Sequence, residues 1–235
     1  MKPFIFKHFS IQQSADVFRV GTDGVLLGAL ANMNHASKIL EIGTGTGLIS
    51  LMLAQRNTTA EFLGLDINEE AVNLTLLNFQ NSPFQPRLKN SHQDFKTFNT
   101  QEKFDGIVTN PPYFETSSSD KDKIARQTVE LNFRQLISGS SGLLSEQGVF
   151  SVIIPAEAEN EFIKIAQENN MFLIRQIHIK GIESAKTKRA VLEFSLTEKV
   201  LEESELIIEK SPRQYSDQYL ELTKEFHVFK QKIRE

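Results

Sequence analysis

Four consecutive residues, Asn110-Pro111-Pro112-Tyr113, bring a carboxamide, free backbone carbonyls and a phenol ring together. An exocyclic amine on a flat heterocycle has two N–H groups that need acceptors and a π-face that needs a stacking surface. The tetrapeptide offers both. It follows Phe104-Asp105-Gly106-Ile107-Val108, which predicts a buried strand. A double proline ends the ladder there, because neither ring nitrogen can donate a hydrogen bond. The residue before each proline is pushed to extended angles, so Asn110 is held out of the helical region. A proline-rich turn that only closes a strand accounts for the tetrapeptide equally well.

The elements upstream decide what such a loop could serve. Lys38-Ile39-Leu40-Glu41-Ile42 predicts a buried strand, and Gly43-Thr44-Gly45-Thr46-Gly47 follows it at once. Leu48, Leu51 and Met52 then carry helical spacing toward Gln55. Strand, glycine loop and helix form a unit whose helix N-terminus can receive an anionic or polar ligand group. A second strand over Phe62-Leu63-Gly64-Leu65 ends at Asp66, about 20 residues past the glycines, where a carboxylate suits the two hydroxyls of a ribose. After a helix over Glu69 to Gln80, a third strand near Arg87 to Ser91 leads to Asp94-Phe95. That pair could hold and cover an adenine; a solvated Asp beside a core Phe explains it as well. The alternation predicts an α/β, doubly wound sheet with ligands at the carboxyl ends of its strands. All these candidates fall at such ends.

Elsewhere the reading is coarser. Phe4, Phe6 and Phe9 surround Lys7 and His8, the pattern of an edge strand or hydrophobic flap. Thr22 or Asp23 is placed to cap a helix over Val25 to Leu30. Glu115 to Lys123 reads as a polar loop, a candidate lid over substrate, followed by a helix within Ile124 to Ile137 that carries Arg126 and Arg134. A strand over Gly148 to Ile154 and a helix over Glu157 to Asn169 come next. Phe172 to Ile179 and Ala190 to Leu196 predict an antiparallel edge hairpin. Its tip carries Lys180, Lys186, Lys188 and Arg189, cations for phosphate or for solvent. Leu206-Ile207-Ile208 predicts a short strand and Gln218 to Phe229 a helix.

Composition narrows the class. The 235 residues are 40% hydrophobic and 24% charged, the balance of a globular chain. No run is long and apolar enough for a membrane span, and the N-terminus lacks a signal-peptide core, so a cytoplasmic protein is expected. There is no Cys, hence no thiolate metal site or Cys nucleophile. The five His show no ligand spacing, so no metal is expected. A net charge of −4 argues against a broad nucleic-acid footprint without excluding a local one.

The spacing Gly43-x-Gly45-x-Gly47 after Glu41 resembles the first motif of Rossmann-like S-adenosylmethionine methyltransferases. Asn110-Pro111-Pro112-Tyr113 resembles the N/D-P-P-Y/F motif of those acting on exocyclic or amide nitrogens. Phe6-Lys7-x-Phe9 with Val20-Gly21-Thr22-Asp23-Gly24, and Tyr215-Ser216-x-x-Tyr219 near the C-terminus, are similar to the end signatures of one bacterial family. It is the tRNA(Val) adenine-N6 methyltransferases, which modify adenine 37 beside the anticodon. The resemblance spans about Phe4 to Phe229. It implies a seven-stranded, mostly parallel class I sheet with an antiparallel edge hairpin, in a single domain over 1–235. Residues 1–36 would cover the donor pocket, 37–200 form the catalytic core and 201–235 extend it. S-adenosylmethionine would be held by Thr22, Asp23, Glu41, Gly43, Thr44, Gly45, Gly47, Asp66, Ile67, Asp94, Phe95 and Asn110. Asn110, Pro111 and Tyr113 would be catalytic. Pro112, Tyr113, Phe114, Lys186, Lys188 and Arg189 would meet the tRNA anticodon stem-loop, with the protein acting as a monomer. Adenine methylation of rRNA or DNA, and methylation of a protein glutamine amide, are the alternatives.

Overall fold

The apolar runs assemble into one central sheet with helices on both faces. The computed structural model of the chain describes residues 1–17, 19–112 and 132–227. In order come β1 (Phe4–Ile5), β2 (Ser10–Ile11), α1 (Thr22–Leu30), β3 (Lys38–Ile42), α2 (Leu48–Arg56), β4 (Glu61–Asp66), α3 (Glu69–Gln80), β5 (Leu88–His92) and β6 (Phe104–Thr109). From residue 132 onward follow α4 (Phe133–Leu143), β7 (Leu144–Pro155), α5 (Glu159–Glu168), β8 (Phe172–Lys180), β9 (Thr187–Ser195) and β10 (Glu202–Ile207). A small ribbon of β11 (Glu209–Ser211) and β12 (Gln214–Tyr215) precedes α6 (Asp217–Thr223).

The sheet order is β10-β8-β9-β7-β6-β3-β4-β5. Pairing is parallel from β7 through β5, and β9 runs antiparallel to both its neighbours. Against the seven strands expected, an eighth is present among the described residues. β10 pairs parallel with β8 from Glu202↔Arg175 to Ile207↔Lys180, so the hairpin is not the edge. The physical reason is that β8 alone would expose a nine-residue ladder. The strand that covers it carries Glu202, Glu203 and Glu205, charges that discourage further pairing.

Two cores flank the sheet. One collects α1, α2, Phe79 of α3, the N-terminal Phe6, Phe9 and Ile11, and the C-terminal Tyr219 and Phe226. The other collects Leu136 and Ile137 of α4 with Phe162, Ile165 and Ala166 of α5. Strand β7 serves both, with Phe150, Val152 and Ile154 on the α5 side and Ile153 on the other. On the α1 side, the buried Glu193 of β9 accepts the Asn32 amide at 2.7 Å, and Arg175 lies 3.4 Å from its carboxylate. Arg175 also donates to the Leu30 carbonyl at 2.9 Å. This ties the C-terminal end of α1 to the sheet, which orients the Thr22 end.

The N-terminal hairpin meets the last of the described residues. The Phe4–Gln13 stretch, expected as an edge strand or flap, is a β1–β2 hairpin outside the main sheet. The helix expected over Gln218 to Phe229 ends at Thr223 within the described residues, and its continuation past His227 lies outside them. Ser216 caps α6, accepting the Tyr219 amide at 3.0 Å. The chain then turns so that Phe226 accepts the Lys7 amide at 2.8 Å and His227 bridges to Phe6. The helix expected within Ile124 to Ile137 is described from Phe133, behind an Asn132–Gln135 capping box. Arg126 and the proposed lid at 115–123 lie outside the described residues, whereas Arg134 is an exposed partner of Glu168 at 2.7 Å.

Candidate active site

Parallel register gathers the candidates. Ile42 pairs with Thr109, so Gly43 and Asn110 leave neighbouring strands side by side. Ile42 also pairs with Leu65, and Asp66 with His92, so Asp66 and Asp94 leave along the same edge. The Thr109 hydroxyl donates to the Ile42 carbonyl at 2.9 Å, fixing the β3–β6 exit. Asn110 is half-buried, Pro111 buried and Pro112 exposed. Tyr113 and Phe114 lie outside the described residues.

The glycine loop turns on three positive φ angles: 72° at Gly43, 58° at Gly45 and 78° at Gly47. Side chains other than glycine rarely adopt them. A Cβ at Gly43 or Gly45 would meet nothing within 4 Å, so these two present bare backbone to open space. A Cβ at Gly47 would come within 2.7 Å of the Phe79 ring. That glycine serves packing. Gly47 is also the N-cap of α2, supplying no side-chain cap.

Asp66 links the loop to the next element. One carboxylate oxygen accepts the Gly45 amide at 2.8 Å and the other the Asn68 amide at 2.9 Å. Each oxygen has a second lone pair for a ribose hydroxyl. Thr44 is buried, bonded through its amide and hydroxyl to the Leu65 carbonyl at 3.1 Å, so it shapes the loop from beneath. Ile67, 60% exposed, is an apolar side chain beside Asp66, and its carbonyl contacts the His92 ring at 2.9 Å. Asp94 accepts the Lys96 amide at 2.9 Å and pairs with the Lys96 ammonium at 3.5 Å. Phe95 is a core side chain packed over Gly139 of α4.

Glu41 sits under the loop. It is 1% exposed and accepts the Ser50 amide at 3.0 Å and its hydroxyl at 2.5 Å. Its contact with the site therefore runs through the first turn of α2. Burial pushes the carboxyl up from 4.5 to about 8; the bonds from Ser50 oppose this, and the Asp66 charge adds to it.

The N-terminal segment reaches the same edge. Neither Thr22 nor Asp23 is the helix cap: Gly21 is, and both lie in the first turn. The reason is an ion pair. Asp23 accepts from Arg189 Nε at 2.8 Å, and Arg189 pairs in register with Pro155 at the end of β7. Arg189 is thus tied to the N-terminal segment, while Lys186 and Lys188 are exposed on the hairpin. Lys180 pairs with Glu205 at 2.5 Å.

Thr75 and Asn78 were not legible as site residues. Both are fully buried on α3, and they bond the Gly45 and Thr46 carbonyls at 2.8 Å each. Their only sequence signal was polarity at positions three apart on a helix face expected to be apolar.

A family model described as Methyltransferase small domain matches residues 13–169. A curated protein of a Flavobacteriaceae bacterium is 51% identical over 230 residues, covering 97% of this chain and 100% of the relative. It is named tRNA1(Val) (adenine(37)-N6)-methyltransferase. Proteins of the same name from Flavobacterium psychrophilum and Bacteroides thetaiotaomicron are 41% and 37% identical, each covering 96% of this chain and at least 97% of the relative. Among solved structures, one from Agrobacterium tumefaciens, described as a predicted O-methyltransferase, superposes with a TM-score of 0.71 at 18% identity. It covers 87% of this chain and 96% of its own. The N-methyltransferase NodS of Bradyrhizobium japonicum gives 0.52 at 19% identity, over 72% and 90%. These two establish the fold.

Because folded Glu41 binds its proton more tightly than the unfolded chain, its contribution to stability is full below pH 4.5 and is lost as pH rises to about 8. Unfolding by urea at several pH values should show wild type losing stability relative to Glu41→Gln as pH rises across this window, by roughly a few kcal/mol. A difference independent of pH contradicts this.

Proposed function

We propose a function from one established premise: the chain belongs to the methyltransferase small domain family, among relatives named as tRNA1(Val) adenine-37 N6-methyltransferases. The proposed reaction is methylation of adenine N6 in tRNA, at position 37 of a valine tRNA. S-adenosylmethionine, the donor, supplies an electrophilic methyl on a cationic sulfur. The bare backbone at Gly43 and Gly45 and the two-armed Asp66 suit such a donor: open space above the loop and an acceptor for ribose hydroxyls.

The observation that carries the reading is the register of Ile42 opposite Thr109, which delivers Asn110 beside the glycine loop. The lone pair of adenine N6 is delocalised into the ring and attacks poorly. In this reading the Asn110 side-chain oxygen and the Pro111 carbonyl accept both N6 hydrogens, favouring a pyramidal nitrogen with a free lone pair. The stacking surface is assigned to Tyr113, or to Phe114 beside it, both outside the described residues, and Pro112 borders the base. Catalysis is then positioning and electrostatics, with no strong base required. The nitrogen becomes acidic only as it attacks. An anticodon-loop base is unpaired and costs little to extrude, so no strand-separating element is needed.

For the RNA footprint, Lys186 and Lys188 are the candidates, because their hairpin stands on the same sheet edge as Asn110. Arg189 is reassigned to Asp23 and the N-terminal segment. The whole chain acts as one cytoplasmic methyltransferase domain. Among its described residues no helix is long and apolar enough to cross a membrane.

Asn110→Ala should cut turnover on the order of a hundredfold or more, a loss well beyond any weakening of donor affinity read by calorimetry. Turnover within threefold of wild type would remove Asn110 from the chemistry. Lys186→Glu with Lys188→Glu should raise KM for tRNA and flatten its salt dependence, leaving donor affinity alone. An unchanged KM would take the hairpin out of the footprint.

A further inference from the structure

Helix α3 is not a neighbour of the glycine loop by sequence, yet its inward face holds that loop. Thr75, Asn78 and Phe79 stand on one face, at spacings of three and four residues. The Thr75 hydroxyl donates to the Gly45 carbonyl at 2.8 Å. The Asn78 carboxamide nitrogen donates to the Thr46 carbonyl at 2.8 Å. Phe79 lies under Gly47. A trans peptide carries its C=O and N–H on opposite sides, so fixing the Gly45 carbonyl toward α3 turns the Thr46 N–H to the other face of the loop.

Asn78 has a second set of bonds. Its side-chain oxygen accepts the Gln12 amide at 2.8 Å and its nitrogen donates to the Gln12 carbonyl at 3.1 Å. One carboxamide thus satisfies both backbone groups of a residue 66 positions away, as a neighbouring strand would. The chain of bonds continues. The Gln13 side-chain oxygen accepts the Val20 amide at 3.2 Å, next to the Gly21 cap of α1. Loop, α3 and N-terminal segment are therefore connected through a fully buried side chain. Buried carboxamides that form only part of their bonds are costly, so this arrangement is held as a unit.

We propose that Thr75 and Asn78 are positioning residues for the methyl donor: they set the peptide planes of the glycine loop, and Asn78 docks the N-terminal segment onto that loop. The proposal rests on the donor reading above. It assigns no contact between either side chain and the donor; they act through Gly45, Thr46 and Gln12.

The test is calorimetric titration of the full chain with S-adenosylmethionine, paired with steady-state kinetics on tRNA. Thr75→Val is nearly isosteric and removes one loop bond. Asn78→Asp keeps the acceptor and removes both donors. Asn57→Asp is the control, because Asn57 is buried to a similar degree and donates to the Met33 and Ala36 carbonyls, both at 2.8 Å. The expected result is donor Kd and donor KM raised about tenfold for Thr75→Val and Asn78→Asp, with kcat and KM for tRNA within twofold. Asn57→Asp should lower the melting temperature as Asn78→Asp does but leave donor Kd unchanged. Wild-type Kd in both α3 variants overturns the proposal, as does equal weakening in the Asn57 control. If Asn78→Asp does not fold, Thr75→Val decides alone. Absence of donor binding by the wild type would instead overturn the donor reading, which separates the two failures.

Discussion

Parallel pairing of β3 with β4 and β6 sets Ile42 opposite both Leu65 and Thr109, and the site depends on that alignment. Side chains in a strand alternate faces, so a slip of one residue would turn Ile42 and Thr109 over and send Gly43 and Asn110 in different directions. Ile39, Leu40, Ile42, Ile107 and Val108 are all buried, divided between the cores on the two faces of the sheet.

On that strip the loops are over-determined. The glycine loop is fixed by Asp66 from β4, by Leu65 through the Gly43 and Thr44 amides, by Ser50 over Glu41, and by α3. The three positive φ angles in five residues fall on glycines, which adopt them without steric cost, so the loop is shaped by its partners rather than held against strain. A loop so held meets its ordering entropy on folding, before any ligand arrives, which is the physical basis of preorganisation. The N-terminal segment is tied to the same assembly through Asp23–Arg189 and Gln12–Asn78.

Much of this was legible in sequence. Local signals read correctly: apolar runs bounded by Gly43, Asp66 and Pro111 gave strand ends, and alternation with helices gave the doubly wound sheet. Long-range pairings did not read. Nothing in Leu206-Ile207 says that it will lie parallel to β8 and displace the hairpin from the edge. Arg189 looked like one of four tip cations; only the fold shows that Asp23, 166 positions away, takes it. Thr22 and Asp23 carried a good cap signal, and tertiary pairing overrode it in favour of Gly21. Thr75 and Asn78 were hidden because a buried polar residue on an amphipathic helix has meaning only once its partner is known.

Everything above bears on one reaction, methyl transfer to adenine N6. Its most direct test is transfer of labelled methyl from S-adenosylmethionine to bulk tRNA from a strain lacking this protein, followed by nucleoside mass spectrometry of the labelled species. The expected product is N6-methyladenosine at position 37 of a single valine tRNA. Donor binding with no label in tRNA, or label on any base position other than adenine N6, would contradict it.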